Sequence, residues 1–443
     1  MTRKNPGLKV GAAEVDFTPA PGLQLVGQMH VRRGAYVRDP LMANAVAFRQ
    51  GRTAVVLVSV DICIMDDAFV RRVQKTFERR TGCAGGRLLL HATHCHVAPG
   101  VFRLLNDEPD PAFVARLEDA IITAAGRALE GAAAADVFSG AGIMERLGWN
   151  RRAMYADGSS RMYGNSDQPG FIGMEGPRDP TLNVLVARDA SGAVRAVLVN
   201  FATHPNCVES ESFYSADLAG EVRRQLKALL GPDVVVAYLT GAGANTAPSI
   251  LDPHDPQQLW RGESGLRRSG LYLAGEAAKA IAVAVHPMQA PTLAVAETVE
   301  RIPLRHWPKP EEPNFPEPLR KGGTWPDATE YYERARRQWK RRLTTLSPWS
   351  VRLHAIRIGD TAICTNPAEL FVEFGLAMRA ASPARVTFVT ELTDGYCGYV
   401  PTPLAFSRGG YETWPAPSSQ LAPQAGLQIV RATGSLLQNL FAK

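Results

Sequence analysis

The chain lacks the features that would place it in a membrane, in a disulfide-stapled scaffold or on nucleic acid. No segment approaches the ~18 uninterrupted apolar residues of a membrane-spanning helix, and the opening MTRKNPGLKVGAAEVDF has no apolar run to serve as a signal-peptide core. The six cysteines (Cys63, Cys83, Cys95, Cys207, Cys364 and Cys397) are widely spaced, with no CxxC pair. They read as buried or near-site thiols in a reducing compartment. Together these absences predict a cytoplasmic protein without a membrane span. The net charge of +6 over 443 residues is modest, and the basic residues are too scattered to form a nucleic-acid footprint. Internal repeats and low-complexity tracts are also missing from the sequence.

What remains is an ordinary globular composition, 45% hydrophobic and 21% charged. Short β-branched runs at 55–61, 87–93, 193–203, 233–239, 292–303, 350–358 and 386–391 alternate with helical patterns at 67–80, 111–130, 217–230, 266–285 and 368–381. This alternation predicts an α/β fold, a mixed β-sheet layered by helices. Several strands are almost continuously apolar, which implies cover on both faces. We read 1–443 as a single domain with one insertion at about 304–348. That segment starts Pro-rich (HWPKPEEPNFPEP) and continues as a polar, Arg-rich helix (EYYERARRQWKRRL). It is expected to be a surface insertion with a solvated charged face; the alternative is a lid or subunit contact beside the active site.

Four segments could carry chemistry. In LLLHATHCHVAPG, strand alternation puts His94 and His96 on one face and His91 and Cys95 on the other, and Ala-Pro-Gly ends the strand at the edge where α/β sheets bind ligands. Converging imidazoles serve metal or proton-transfer chemistry. VLVNFATHPNCV repeats the strand-His-Pro arrangement at His204, and Asp217 downstream stands at a helix start, placed to cap, ligate or orient a histidine. In CTNPAELFVEFGLAMR, Glu369 follows a Pro turn and opens a helix, a position a first-turn acid also takes for its interaction with the helix dipole. GYCGYVPTPLAFSRGGYETW gathers Tyr396, Tyr399 and Tyr411, which by composition alone are packing residues at loop corners.

Taken together and in order, these segments resemble the neutral/alkaline ceramidase family. That family has a THTHSGP-type motif, a second strand-terminal His, a PGEF-type Glu and a YxGY…YE segment. VGAAEVDFTP, RDPLMANAVAF and GWNRRAMY resemble its earlier parts, so the likeness spans roughly residues 8–415. The resemblance implies a ceramidase-catalytic-domain-like fold and one Zn²⁺ per chain held by His94, His204, Glu369 and Tyr399. It further implies that His96 faces the substrate, that Arg151 supports the site and that Tyr411 donates to a developing oxyanion. The implied reaction is hydrolysis of a linear amide by metal-activated water, with His96 or Glu369 as the proton carrier.

The sequence departs from the family at GAGANTAPSI, residues 241–250, where Asn245 and Ala247 stand in place of the Asp and Ser of a GDVSPN-type loop. Thr246 and Ser249 are nearby but out of register. No length remains for the family's C-terminal immunoglobulin-like domain. A smaller, soluble amide is therefore expected as substrate, and a homo-oligomer is compatible with the sequence. The competing readings are a metal-dependent esterase or phosphoesterase and a catalytically silent binding protein on the same fold.

Overall fold

The computed structural model describes residues 7–163, 166–248, 259–320 and 326–442. Its elements fall into three tandem units of like topology. The first contains β1 (Lys9–Asp16), β2 (Met42–Gln50), β3 (Thr53–Val60), α1 (Asp67–Thr81), β4 (Leu88–Ala92) and α2 (Pro111–Glu130). The second contains β5 (Asp136–Ile143), β6 (Thr181–Arg188), β7 (Val194–Phe201), α3 (Asp217–Leu230), β8 (Val235–Thr240) and α4 (Gly262–Val283). The third contains β9 (Leu293–Ile302), α5 (Pro326–Leu346), β10 (Trp349–Ile358), β11 (Thr361–Thr365), β12 (Ala368–Leu370), α6 (Val372–Ala380), β13 (Val386–Thr390), β14 (Gly398–Val400) and α7 (Ala425–Phe441).

In each unit three strands run as an antiparallel meander, and a crossover helix then delivers a fourth strand parallel to the third. A closing helix (α2, α4 or α7) returns over the first two strands. The expected α/β class, a mixed β-sheet layered by helices, holds, but it is divided over three main mixed sheets rather than one, with small two- and three-stranded sheets beside them. The repeat missing from the sequence is therefore present in the topology, carried by burial pattern rather than by side-chain identity.

That burial pattern is strict. On β3, Val55 and Leu57 enter one core cluster while Val56, Val58 and Val60 enter another. On β8, Val235, Ala237 and Leu239 alternate in the same way with Val236 and Tyr238. On β10, Ile356 and Ile358 oppose Val351, Leu353 and Ala355. Period-2 alternation in a sheet buried on both sides gives each face its own core. The central cluster is thus built from one face of all three sheets, and the helices cover the outer faces. On α1, Phe69, Val70, Val73 and Phe77 form the buried stripe, Asp66 caps the start by accepting from the Phe69 N–H, and Gly82 ends the helix in a left-handed conformation.

At the C-terminal ends of the strands the central core turns polar, and the bonds there tie sheet to sheet. His91 accepts the Thr240 N–H at Nε2 (2.9 Å), so its Nδ1 carries the proton and donates to the Glu391 carbonyl (2.9 Å). Burial holds the ring neutral, with a pKa near 3. Asn200 Nδ2 donates to the Leu239 and Val389 carbonyls at 2.8 and 3.0 Å. His91 is therefore structural.

Two local expectations need correction. Glu369 does not open a helix: it lies on β12, paired with β14, and the helix starts three residues later at Val372. The apolar run ahead of α6 is needed to bury a short strand, which wins over helical periodicity. The insertion has the expected charged face in exposed Arg336, Arg337 and Arg341, but α5 also buries Ala328, Tyr331, Tyr332, Ala335 and Trp339, so the helix is packed rather than solvated all round.

Candidate metal centre

The residues singled out in the sequence meet beyond the ends of β4, β7, β11 and β13. β4 stops at Ala92, so the HxH motif lies in a loop and strand alternation does not aim its rings. His94 takes a left-handed φ of 68°, a conformation that non-glycine residues adopt at a cost and that concentrates at functional sites. Backbone bonds hold it there: Thr93 N donates to Val60 O (2.9 Å) and His94 N to Ile62 O (3.0 Å). The His94 ring donates from Nδ1 to the Cys63 carbonyl at 2.9 Å, which fixes the tautomer and frees Nε2.

His94 Nε2 lies 3.1 Å from His204 Nε2, 3.4 Å from His96 Nε2 and 3.3 Å from Glu369 Oε2. His204 sits in the turn after β7, closed by Asn206 N donating to the His204 carbonyl at 3.0 Å. The neighbouring loop approaches so closely that a Cβ on Gly243 would lie 2.8 Å from Thr203 N, which explains the glycine there. Asp217 does not touch the histidine; it accepts the Cys207 and Val208 N–H groups at 3.2 and 3.1 Å and so holds the His204 loop.

The third unit supplies the acid and the phenols. Glu369 on β12 is in register with Tyr399 on β14, and Tyr396 donates to Glu369 Oε1 at 2.6 Å. Arg151 Nη2 donates to Tyr399 Oη at 3.2 Å, and the Tyr399 and Tyr411 rings pack with centroids 5.7 Å apart. All seven residues named from the sequence therefore stand together. Thr246 does not join them, since its hydroxyl donates to the Gly243 carbonyl at 2.9 Å. Ser249 lies outside the described residues.

A buried acceptor marks the cluster as a cation site. Glu369 Oε2 is buried without a hydrogen-bond partner, and the ligand atoms of His94, His204 and Glu369 all lie within 4.8 Å of one another. Nitrogen and oxygen ligands about 2.0–2.1 Å from a tetrahedral ion stand about 3.3 Å apart. The separations of 3.1 and 3.3 Å fit that edge. A second grouping, Cys63 with His94 and His96, fits less well, because His94 Nδ1 is already engaged by the Cys63 carbonyl. Burial together with Arg151 and His94 keeps His204 neutral, as a ligand must be. Burial also pulls on His94, but Cys63 and Glu369 outweigh it and raise the pKa of that ring well above its usual value.

Several partners of these residues were not among those singled out in the sequence. His96 Nδ1 faces Glu209 Oε2 at 3.3 Å, and Arg261 pairs with the same carboxylate. Burial would raise the Glu209 carboxyl, yet His96 and Arg261 hold it down at about 2. Fully buried Glu412 accepts from Arg151 (3.1 Å) and Arg152 (2.7 Å). Of these, Glu412 was findable, as the acid next to Tyr411 in GGYETW. Glu209 lies in a segment without periodicity.

Two clefts lead toward the tyrosines. One of about 710 Å³ has Tyr396 in its wall together with Tyr331 of α5. The other, about 730 Å³, includes Tyr411 and Trp414, and Tyr332 of α5 packs on Trp414 with centroids 5.6 Å apart. The insertion thus borders both approaches.

Compared by sequence, the chain matches no protein-family model and no curated protein. Compared by structure, it matches the neutral ceramidase from Pseudomonas aeruginosa with a TM-score of 0.76 at 18% identity, covering 99% of this chain and 75% of that one. It also matches a ceramidase complexed with C2, with a TM-score of 0.74 at 16% identity, covering 98% and 75% respectively. Over nearly its whole length, the chain is built on the neutral ceramidase fold.

Proposed function

We propose that the protein is a zinc-dependent hydrolase of linear amides that acts on a smaller and more soluble substrate than ceramide. The observation that carries this reading is the convergence of two imidazoles and a carboxylate, from three sheets, with a buried carboxylate oxygen left unsatisfied. His94, His204, Glu369 and Tyr399 would hold the ion. A Zn²⁺ bound there supplies a Lewis acid for the carbonyl and brings the pKa of a bound water to about 7.

The chain's own groups account for the rest. Tyr411 and Arg151 present O–H and N–H donors on the Tyr399 side, where a carbonyl oxygen gains charge as it is attacked. His96, with Nδ1 against Glu209, has Nε2 toward the centre and is placed to pass a proton to the leaving amine. Tyr396 fixes the orientation of Glu369 through its 2.6 Å bond. Water is the proposed nucleophile, because Ala247 stands where the family has serine and the Thr246 hydroxyl is bound to backbone.

The test is metal content and turnover together. Purified protein should hold about one zinc per chain, cleave short-chain N-acyl amides faster than the matching esters or phosphoesters, and lose both properties on chelation. Bound zinc with no turnover on any acyl substrate would instead favour a binding protein.

A further inference from the structure

Arg71, Arg103, Arg301, Arg334 and Arg342 line the 710 Å³ cleft that includes Tyr396. The lining acids among the described residues are Asp66 and Asp67. Asp66 is engaged in capping α1, and burial raises the Asp67 carboxyl. At the rim, Arg103 pairs with exposed Glu108 at 3.1 Å. Arg301 donates to Ser350 Oγ (2.6 Å), and Arg334 to the Leu105 carbonyl (2.5 Å) and Asn106 Oδ1 (3.1 Å).

Arg342 is the exception within this group. One of its N–H groups goes to the neutral side chain of Gln420, and its Nε is buried with no acceptor. Behind it, fully buried Arg305 donates Nη2 to the Ser419 carbonyl and hydroxyl at 2.9 Å each, leaving Nε and Nη1 without acceptors. Other buried guanidiniums have a carboxylate, Arg151 and Arg152 sharing Glu412 and Arg223 meeting Asp61 at 2.8 Å, while Arg32 ends on the Glu211 and His96 carbonyls, away from this cleft. Buried cations without a carboxylate are costly unless an incoming anion completes them, and a guanidinium fork suits a carboxylate.

The cleft is of a size that takes a small molecule. Its lining includes Tyr396, one hydrogen bond from Glu369, while Phe102, Leu104, Leu105 and Trp349 provide apolar wall. We propose that this cleft admits the substrate and that the hydrolysed amide carries a carboxylate, as an N-acyl amino acid does, held by Arg342 with Arg301 and Arg334. This rests on the amide-hydrolase reading and narrows it to anionic amides.

The experiment compares kcat/KM for N-hexanoylglycine and neutral N-hexanoylethanolamine in the zinc-loaded protein, in Arg342→Gln and Arg301→Gln, and in Arg161→Gln, which alters the other cleft. The expected result is a preference of about tenfold or more for the anionic amide. It should fall toward parity in Arg342→Gln, fall less in Arg301→Gln and persist in Arg161→Gln. Equal cleavage of both amides by the wild type, or a preference untouched in both cleft variants, overturns the inference and leaves the hydrolase reading standing. If neither amide is cleaved, the hydrolase reading fails, and calorimetric binding decides this one. Binding of N-hexanoylglycine that weakens in Arg342→Gln supports an anion site, whereas equal binding of the two amides removes it.

Discussion

The two sides of the centre are built on opposite electrical principles. The floor is made of strand-end loops and collects acceptors: ligand atoms of His94, His204 and Glu369 converge, Glu369 Oε2 is buried without a hydrogen-bond partner, and inter-sheet backbone bonds hold the loops. The roof is made of the chain between the first and second strands of each unit, and it collects guanidiniums. Arg32 donates to the His96 carbonyl at 2.7 Å, Arg151 to Tyr399, and Arg305 and Arg342 stand without a carboxylate. On the proposed readings the floor takes a cation and the roof cleft an anion. A static arrangement that leaves both unsatisfied is costly in itself, so each half is better explained by what it binds than by what it stabilises.

The largest predicted effect breaks the floor. His204→Ala should drop zinc from about one per chain to near zero by elemental analysis while the chain stays folded; normal metal content in that variant removes the basis of the proposed function. Next comes the joint between roof and third unit. Glu412→Gln leaves two buried guanidiniums without their shared charge and should cost about 3–5 kcal/mol in denaturant unfolding. Burial would raise the Glu412 carboxyl, but Arg152 and Arg151 depress it. Its stabilisation is therefore present above the ordinary glutamate value of about 4.3 and lost as pH falls through the lower folded value.

Tyr411→Phe removes one donor and should lower kcat by about 10²–10³ with metal content unchanged. A smaller effect probes the floor's buried carboxyls. Asp394, raised to about 7 by burial, accepts the Leu90 N–H at 2.8 Å. With the folded pKa above the unfolded one, the unfolded chain binds fewer protons, so the wild type loses stability as pH rises from about 4 through about 7. Relative to it, Asp394→Asn should gain across that window, as followed by thermal melts. Smallest of all, Thr246→Ala should leave turnover within about threefold, because its hydroxyl donates to backbone rather than to substrate; a loss of the size expected for Tyr411→Phe would make Thr246 the nucleophile.

Legibility in the sequence separated the site residues from their charged partners. The floor residues stood out because His94 and His204 follow apolar strands and Glu369 follows the Pro367 turn, while the ligand role came only from the resemblance to a family. Strand positions were equally legible from β-branched runs, and α2 and α3 fall where periodicity put them. The charged partners of the site residues were not legible. Glu209 and Arg261 meet across 52 positions, a contact no local pattern encodes. The buried stripe of α5 was masked by the arginines between its tyrosines and tryptophan. The topological repeat was hidden because the alternation of burial recurs while the residues differ. The approach of Gly27 to His96, where a Cβ would lie 2.6 Å from the ring, is likewise a fact of three dimensions.

The three excursions, residues 17–41, 144–180 and 303–348, leave the chain at one equivalent point in each unit, between the opening strand and its antiparallel neighbour. Lengthening or trimming any of them changes the mouth without shifting the register of a strand that ends at the loops carrying His94, His204 and Glu369. On the proposed amide-hydrolase reading, selectivity and reactivity are thereby separable along the polypeptide: grafting a different excursion onto an unchanged trio of sheets should redirect substrate preference while keeping the hydrolytic step.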